Sequence, residues 1–228
     1  MIVVIGSRHD PVAAELVRRW PGGALCDARD LMAPGWRWSA DAGLGGRDRQ
    51  WVVGGGGVLD TEVTGVFLRR SAVYPDELTG THPDDRAYLA AEAHAFLIYV
   101  LATTNALAVN PVSEGTLGVD ALRPERWMRA AAELDVPVAP LRLTSTTPVP
   151  NPLTLPESLI EVVGGEALPT GRLGDAAVAV TGALGLRWSV ASFDRDDRLC
   201  ALTATPPPSP QAADRLGILL ARRAGRVE

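Results

Sequence analysis

The sequence has 228 residues, 46% of them hydrophobic, with a formal net charge of −5 and a pI near 5.3. That is enough apolar content for one large core or two small ones, and the acidic balance excludes a nucleic-acid or anionic-membrane surface, which depends on clustered positive charge. All 22 basic residues are arginine, which excludes a lysine Schiff base, a Walker A loop and an ammonium placed on a nucleotide phosphate.

From the N-terminus, Met1 to Ile5 is an all-apolar run closed by Gly6, as expected of a strand buried on both faces. It is too short for the hydrophobic region of a signal peptide. No uninterrupted apolar run of about 18 residues occurs that would span a membrane, so the chain reads as cytoplasmic. Asp10 and Pro11 supply an N-cap and a first-turn proline, and Val12, Leu16, Val17 and Trp20 recur at helical spacing until Pro21-Gly22-Gly23. Ala24 to Asp27 reads as a second strand, with Asp30 and Leu31 as the turn beyond it. This is the opening of a doubly wound α/β lobe. Trp36 to Ala40 and Arg49 to Val53 read as antiparallel strands with glycine turns at Gly43 to Gly46 and Gly54 to Gly57. The second glycine run leads into Val58-Leu59-Asp60, toward another strand and not a helix N-terminus, so it reads as a hairpin tip and not as a phosphate loop.

Gly65 to Arg70 is a strand running into paired arginines. A loop through His82 follows, then a long helix, Arg86 to Thr103, started by Asp84-Asp85, with Leu89, Phe96, Leu97 and Val100 on its apolar face. Leu107 to Pro111 is the next strand. A loop with Glu114-Gly115 leads to a helix, Pro124 to Leu134, with Trp127, Ala131 and Leu134 inward, and to a strand from Val136 to Leu143. Thr144 to Pro156, rich in threonine and proline, reads as a linker. Near the end, Trp188, Val190 and Ser192 alternate with Ser189, Ala191 and Phe193. Asp194 to Arg198 supplies a polar turn and Leu199 to Thr205 a second strand, which stops at Pro206-Pro207-Pro208. A terminal helix, Gln211 to Arg223, closes the chain.

In order and spacing these segments resemble the ATP-grasp enzymes, in particular those that modify ribosomal peptides or ligate amino acids. The matching stretches are a strand ending in arginine (Gly65 to Arg70), the long helix, a strand ending in Asn-Pro (Ala106 to Pro111), and Leu134 to Pro140. Leu159 to Leu168 resembles the later strand pair of that family, Asp175 to Leu184 its penultimate helix, and the hairpin with its proline-rich exit and terminal helix its closing segment. The resemblance implies an α/β fold in two parts. An N-terminal doubly wound, pre-ATP-grasp-like domain would span residues 1–143, and a truncated ATP-grasp-like α+β segment residues 159–228, with a linker at 144–158. It also implies that the nucleotide-clamping subdomain, which would begin near Thr144, is missing. On the last strand the family carries an acidic residue and an asparagine, two apart, that hold the magnesium ions of ATP. Here Thr203 and Thr205 stand at these positions, and hydroxyls are weak ligands for a hard cation.

Cys26 and Cys200 lie in apolar, strand-like contexts and read as free thiols. Of the three histidines, His94 falls within the long helix as a packed or surface residue. His9 falls in the loop after the first strand, where α/β folds place their sites. No His-x-His, Cys-x-x-Cys, His-Glu-x-x-His or Gly-x-Ser-x-Gly spacing occurs, so neither a dedicated metal site nor an activated serine is indicated. Asp194, Asp196 and Asp197 read as a solvated turn. The candidate ligand-binding residues are Arg69, Arg70, His82, Asn110 and His9. Arg70 and Asn110 follow two strands at one edge and face a common crevice, where an arginine can grip a carboxylate bidentately. The alternative is that Arg69 and Arg70 pair with Asp84 and Asp85 across the helix start.

Three functional readings follow. The first is a catalytically degenerate ATP-grasp homologue that needs no cofactor and serves as a binding or scaffold partner in peptide modification or natural-product biosynthesis. It would work as a homodimer, or as a heteromer with a biosynthetic enzyme or peptide. The second is an active ATP-dependent carboxylate-amine ligase, with ATP and magnesium held by atypical residues. The third is a small-molecule enzyme on an unrelated α/β fold. The sequence leaves open whether the protein is an enzyme.

Overall fold

A computed structural model describes residues 1–39, 48–110, 112, 117, 122–140, 156–204 and 206–222. The expected turn at Gly43 to Gly46, the Glu114-Gly115 loop, most of the linker and Thr205 lie outside the described residues. The chain forms two units, one of residues 1–121 and 213–228, the other of residues 122–212. No helix among the described residues is long and apolar enough to cross a membrane.

The first unit is built on a parallel sheet of β1 (Ile2–Ile5), β2 (Gly23–Cys26), β5 (Gly65–Leu68) and β6 (Leu107–Val109), in the order β2-β1-β5-β6. Ile5 lies opposite both Cys26 and Leu68, and Phe67 opposite Val109. All four residues of β1 are buried, because helices cover both faces of the sheet. On one face lies α1 (Pro11–Arg19), capped by Asp10, whose carboxylate accepts the Val12 N–H at 2.9 Å. The Trp20 ring stands edge-on to Phe67 at 5.5 Å, and its indole N–H donates to the Ala213 carbonyl of α6 (Pro210–Ala221) at 2.8 Å. Gly65 admits α6 onto the sheet, since a Cβ there would come within 2.6 Å of the Leu220 carbonyl oxygen.

On the other face Val3, Ile5, Val66 and Leu68 pack in one cluster with Leu97 and Val100 of α3 (Arg86–Thr103) and with Trp51. Asp84 and Asp85 sit in a 3-10 turn just ahead of α3. The expected turn at Asp30-Leu31 is instead a short helix, α2 (Ala28–Met32), closed by a reciprocal capping box between Asp27 and Asp30. The glycine run forms a hairpin tip, with β3 (Gln50–Val53) and β4 (Gly56–Leu59) joined through Gly54 and Gly55, both at positive φ. Its Gly55 N–H donates to the Asp30 carboxylate at 2.8 Å. The strand expected over Trp36 to Ala40 reduces, in its described part, to one bridge between Arg37 and Gln50.

The second unit is an antiparallel sheet of β7 (Ser158–Val163), β8 (Glu166–Leu168), β9 (Trp188–Phe193) and β10 (Leu199–Thr203), in the order β10-β9-β7-β8. Two helices, α4 (Pro124–Glu133) and α5 (Arg172–Ala183), bring Trp127, Ala131, Ala177 and Val180 into one core with Ile160, Val162, Ala191 and Phe193. The strand expected at Val136 to Leu143 reduces, in its described part, to a single parallel bridge from Val138 to Leu199. By contacts, α4 and this bridge belong with the second unit, whereas the sequence places its boundary at 143/144.

Candidate functional site: the carboxyl edge of the parallel sheet

Strand order puts β2 on one side of β1 and β5 on the other. The chain reverses its winding there, and loops leaving the carboxyl ends of β1 and β5 splay apart to leave a crevice. Four of the five candidate ligand-binding residues flank it by position. His9 follows β1, Arg69 and Arg70 follow β5, and Asn110 follows β6 in a left-handed backbone conformation of φ 59° that asparagine tolerates. Arg70 and Asn110 are buried, whereas His9 is exposed.

The pairing expected of the arginines with Asp84 and Asp85 is not observed. Arg69 donates from Nε to Asp10 at 3.1 Å. Arg70 donates from Nη2 to both oxygens of Glu77, the contact to Oε1 being 2.5 Å. Its Nε and Nη1 are buried and have no hydrogen-bond partner. A buried, half-paired guanidinium is costly to maintain, because each donor taken from water without replacement costs about 1–3 kcal/mol. His82 does not join this group. It is exposed, with Nδ1 3.7 Å from Asp84.

Glu77 also lines a cavity of about 300 Å³, together with Ser7, Arg8 and His9 of the loop after β1, Arg29 of α2, and Asp76, among others. Arg8 is tied to Asp27 at 2.6 Å. A neighbouring groove of about 460 Å³ shares Arg29 and Glu77 and runs on past Leu78 to Thr81. Cys26 lies below this edge and is fully buried. Burial, with the charge of Asp30 adding to it and that of Arg70 opposing, pushes its thiol far above the ordinary value, which makes it inert as a nucleophile. Glu77, Asp10 and Arg8 were not among the residues singled out as ligand-binding. Asp10 was legible only as a helix cap, and Glu77 sits in a loop without periodicity.

The second unit holds Thr203, on β10. Its cross-strand row is Thr203, Val190, Glu161 and Leu168, whose side chains share one face of the sheet. Glu161 is the carboxylate in that row, and its Oε1 accepts the Ser209 N–H at 2.7 Å. Magnesium takes six oxygens and keeps them mainly from carboxylates, phosphates and water. Among the described residues, that row offers one hydroxyl and one engaged carboxylate. No group of three or more His, Cys, Asp or Glu among the described residues has the arrangement of a metal site.

No protein-family profile matches the sequence, and no curated protein matches it. Solved structures do. The macrocyclase MdnC from Microcystis aeruginosa MRC, bound with the precursor peptide MdnA, superposes with a TM-score of 0.64 at 12% identity, over 97% of this chain and 99% of that one. The Chryseobacterium gregarium RiPP-associated ATP-grasp ligase, in complex with ADP and a leader and core peptide, superposes with a TM-score of 0.62 at 9% identity, over 97% of each chain. The ATP-grasp ligase PsnB, complexed with precursor peptide PsnA2 and AMPPNP, gives a TM-score of 0.59 at 15% identity, over 97% of this chain and 98% of that one. At these identities the likeness is one of fold alone.

Proposed function

Because this ATP-grasp-like fold is built without a single lysine, we propose that the protein works in peptide modification as a peptide-binding or scaffold partner and not as a ligase. The observation that carries the reading is the combination of fold and donors. Two of the solved structures that share the fold, the macrocyclase MdnC and the ATP-grasp ligase PsnB, hold precursor peptides. Here the row through Thr203 offers one hydroxyl and one engaged carboxylate, and no lysine exists to grip a phosphate.

In this reading Arg70 is the recognition group. A guanidinium held in a buried position matches a carboxylate in two parallel hydrogen bonds, and burial strengthens each of them. Arg69, Asn110 and His9 line the approach from the neighbouring strand ends. The protein acts as a homodimer or beside a biosynthetic enzyme, a point that light scattering at micromolar concentration decides.

Calorimetric titration tests the proposal, first with magnesium-ATP and then with an acidic peptide. The expected result is no heat with the nucleotide and measurable heat with the peptide. Micromolar binding of ATP would overturn it in favour of a ligase whose arginines hold the phosphates.

A further inference from the structure

Arg70 has a partner inside the protein, and the partner is itself a carboxylate. Glu77 belongs to a 3-10 turn, Pro75–Glu77, in the loop between β5 and α3. The turn is strung between two buried anchors, Val73 and Leu78, while Tyr74, Pro75 and Asp76 face solvent. Its shape includes three hydrogen bonds: Glu77 N–H to the Tyr74 carbonyl at 3.1 Å, Leu78 N–H to the Pro75 carbonyl at 3.0 Å, and Tyr74 N–H to Glu77 Oε2 at 3.1 Å.

Glu77 makes poor use of the arginine. Both of its oxygens crowd one nitrogen, Nη2, whereas a carboxylate in its preferred geometry spans two. Nε and Nη1 stay buried and unpartnered, so the guanidinium keeps donors in reserve. Glu77 also lines the 300 Å³ cavity and the groove beside it, whereas Arg70 lines neither.

We propose that Glu77 is a built-in stand-in for a ligand carboxylate. It occupies Arg70 in the free protein, and a peptide carboxylate entering through the cavity displaces it to engage the guanidinium more fully. The inference rests on the peptide-binding reading of Arg70 given above and adds a guard to it. A site occupied by its own side chain binds at an affinity reduced by the fraction of time it stands open. Weak apparent affinity is therefore built in, and removing the guard's charge raises it.

The test uses the full chain and two probes. One is an acetylated, amidated tripeptide with a central glutamate, and the other an acetylated triglycine with a free C-terminal carboxylate. Whichever binds identifies the source of the carboxylate, side chain or terminus. Glu77→Gln is expected to bind one probe at least tenfold more tightly than the wild type, and Arg70→Gln to lose binding, each with its near-ultraviolet circular dichroism intact. Should Arg70→Gln not fold, Arg70→Lys keeps the cation without the fork and is expected to bind at least tenfold more weakly than the wild type. If wild-type binding depends on Arg70 but Glu77→Gln binds no more tightly, the guard is overturned and the arginine site stands. If no variant binds either probe, both fall.

Discussion

Arg69 and Arg70 are neighbours in the chain, yet their guanidiniums part: Arg69 reaches Asp10 at the cap of α1, while Arg70 reaches Glu77 in the loop before α3. Strand alternation carried past the end of β5 accounts for it, since Phe67 and Arg69 lie on the α1 side and Leu68 and Arg70 on the α3 side. Asp10 serves two partners, the Val12 N–H and Arg69. Asp10→Ala removes both contacts at once and is expected to lower unfolding free energy by about 1–2 kcal/mol, read from urea denaturation.

Asp60 is fully buried and makes no ion pair among the described residues. Its carboxylate accepts the Trp51 indole N–H at 2.8 Å, the Thr104 hydroxyl at 2.6 Å, and the backbone and side-chain N–H groups of Asn105 at 3.1 and 3.0 Å. Asp60→Ala strands all four donors and is expected to cost about 3–5 kcal/mol. A loss below about 1 kcal/mol in urea would show that water replaces the carboxylate.

Gly65 leaves no room for a side chain against Leu220 of α6, whose backbone oxygen and Cβ lie 2.6 and 2.7 Å from where a Cβ would stand. Gly65→Ala must push the helix off the sheet, at an expected cost of about 1–3 kcal/mol. The drop should appear in the thermal midpoint, and a midpoint equal to the wild type would mean that α6 is not held where the glycine permits.

Thr181 and Ser189 share a hydrogen bond of 2.6 Å in the core of the second unit. Thr181→Val or Ser189→Ala alone leaves a buried hydroxyl unpartnered and is expected to cost about 1–2 kcal/mol. The double variant should cost less than the sum of the two, because no polar atom is then stranded. Additive losses in the double-mutant cycle would refute the bond.

Asp194 anchors the turn between β9 and β10, accepting from the Asp196 and Arg198 amides and from Arg198 Nε, each at 2.9 Å. Burial alone would raise its carboxyl, but these donors and the Arg198 charge outweigh burial and hold it below the ordinary value. A carboxyl depressed on folding contributes stability that is fully present above the unfolded pKa of about 3.9 and is lost as pH falls through the folded value. The stability gap between wild type and Asp194→Asn should therefore be widest near neutrality and shrink toward pH 2. A gap constant with pH would contradict this.

Local signals carried most of the elements. The apolar run of β1, the Asp10-Pro11 start of α1, the Trp188 to Phe193 alternation and the Asp194 to Arg198 turn all reappear with close boundaries. Where neighbours outvoted local pattern, the reading and the structure part. Asp30 looked like a turn residue, but the capping box with Asp27 and the Gly55 N–H draw it into a helix. Val136 to Leu143 has strand composition, yet its described part makes only one bridge, which pairing partners decide and composition does not. His82 was grouped with the arginines by chain position, but its loop turns it outward to Asp84.

What the sequence determined by itself is what composition and short-range pattern can encode: the absence of lysine, the two sheet-forming regions, and arginines placed just beyond a strand end. Those properties need no partner from elsewhere in the chain. Only the tertiary structure decided which carboxylate each arginine meets. Asp10 and Glu77 lie 59 and seven residues from their arginines, one supplied by a parallel crossover and the other by a loop. Such pairings depend on strand order and side-chain alternation acting together, and no local window of sequence contains both.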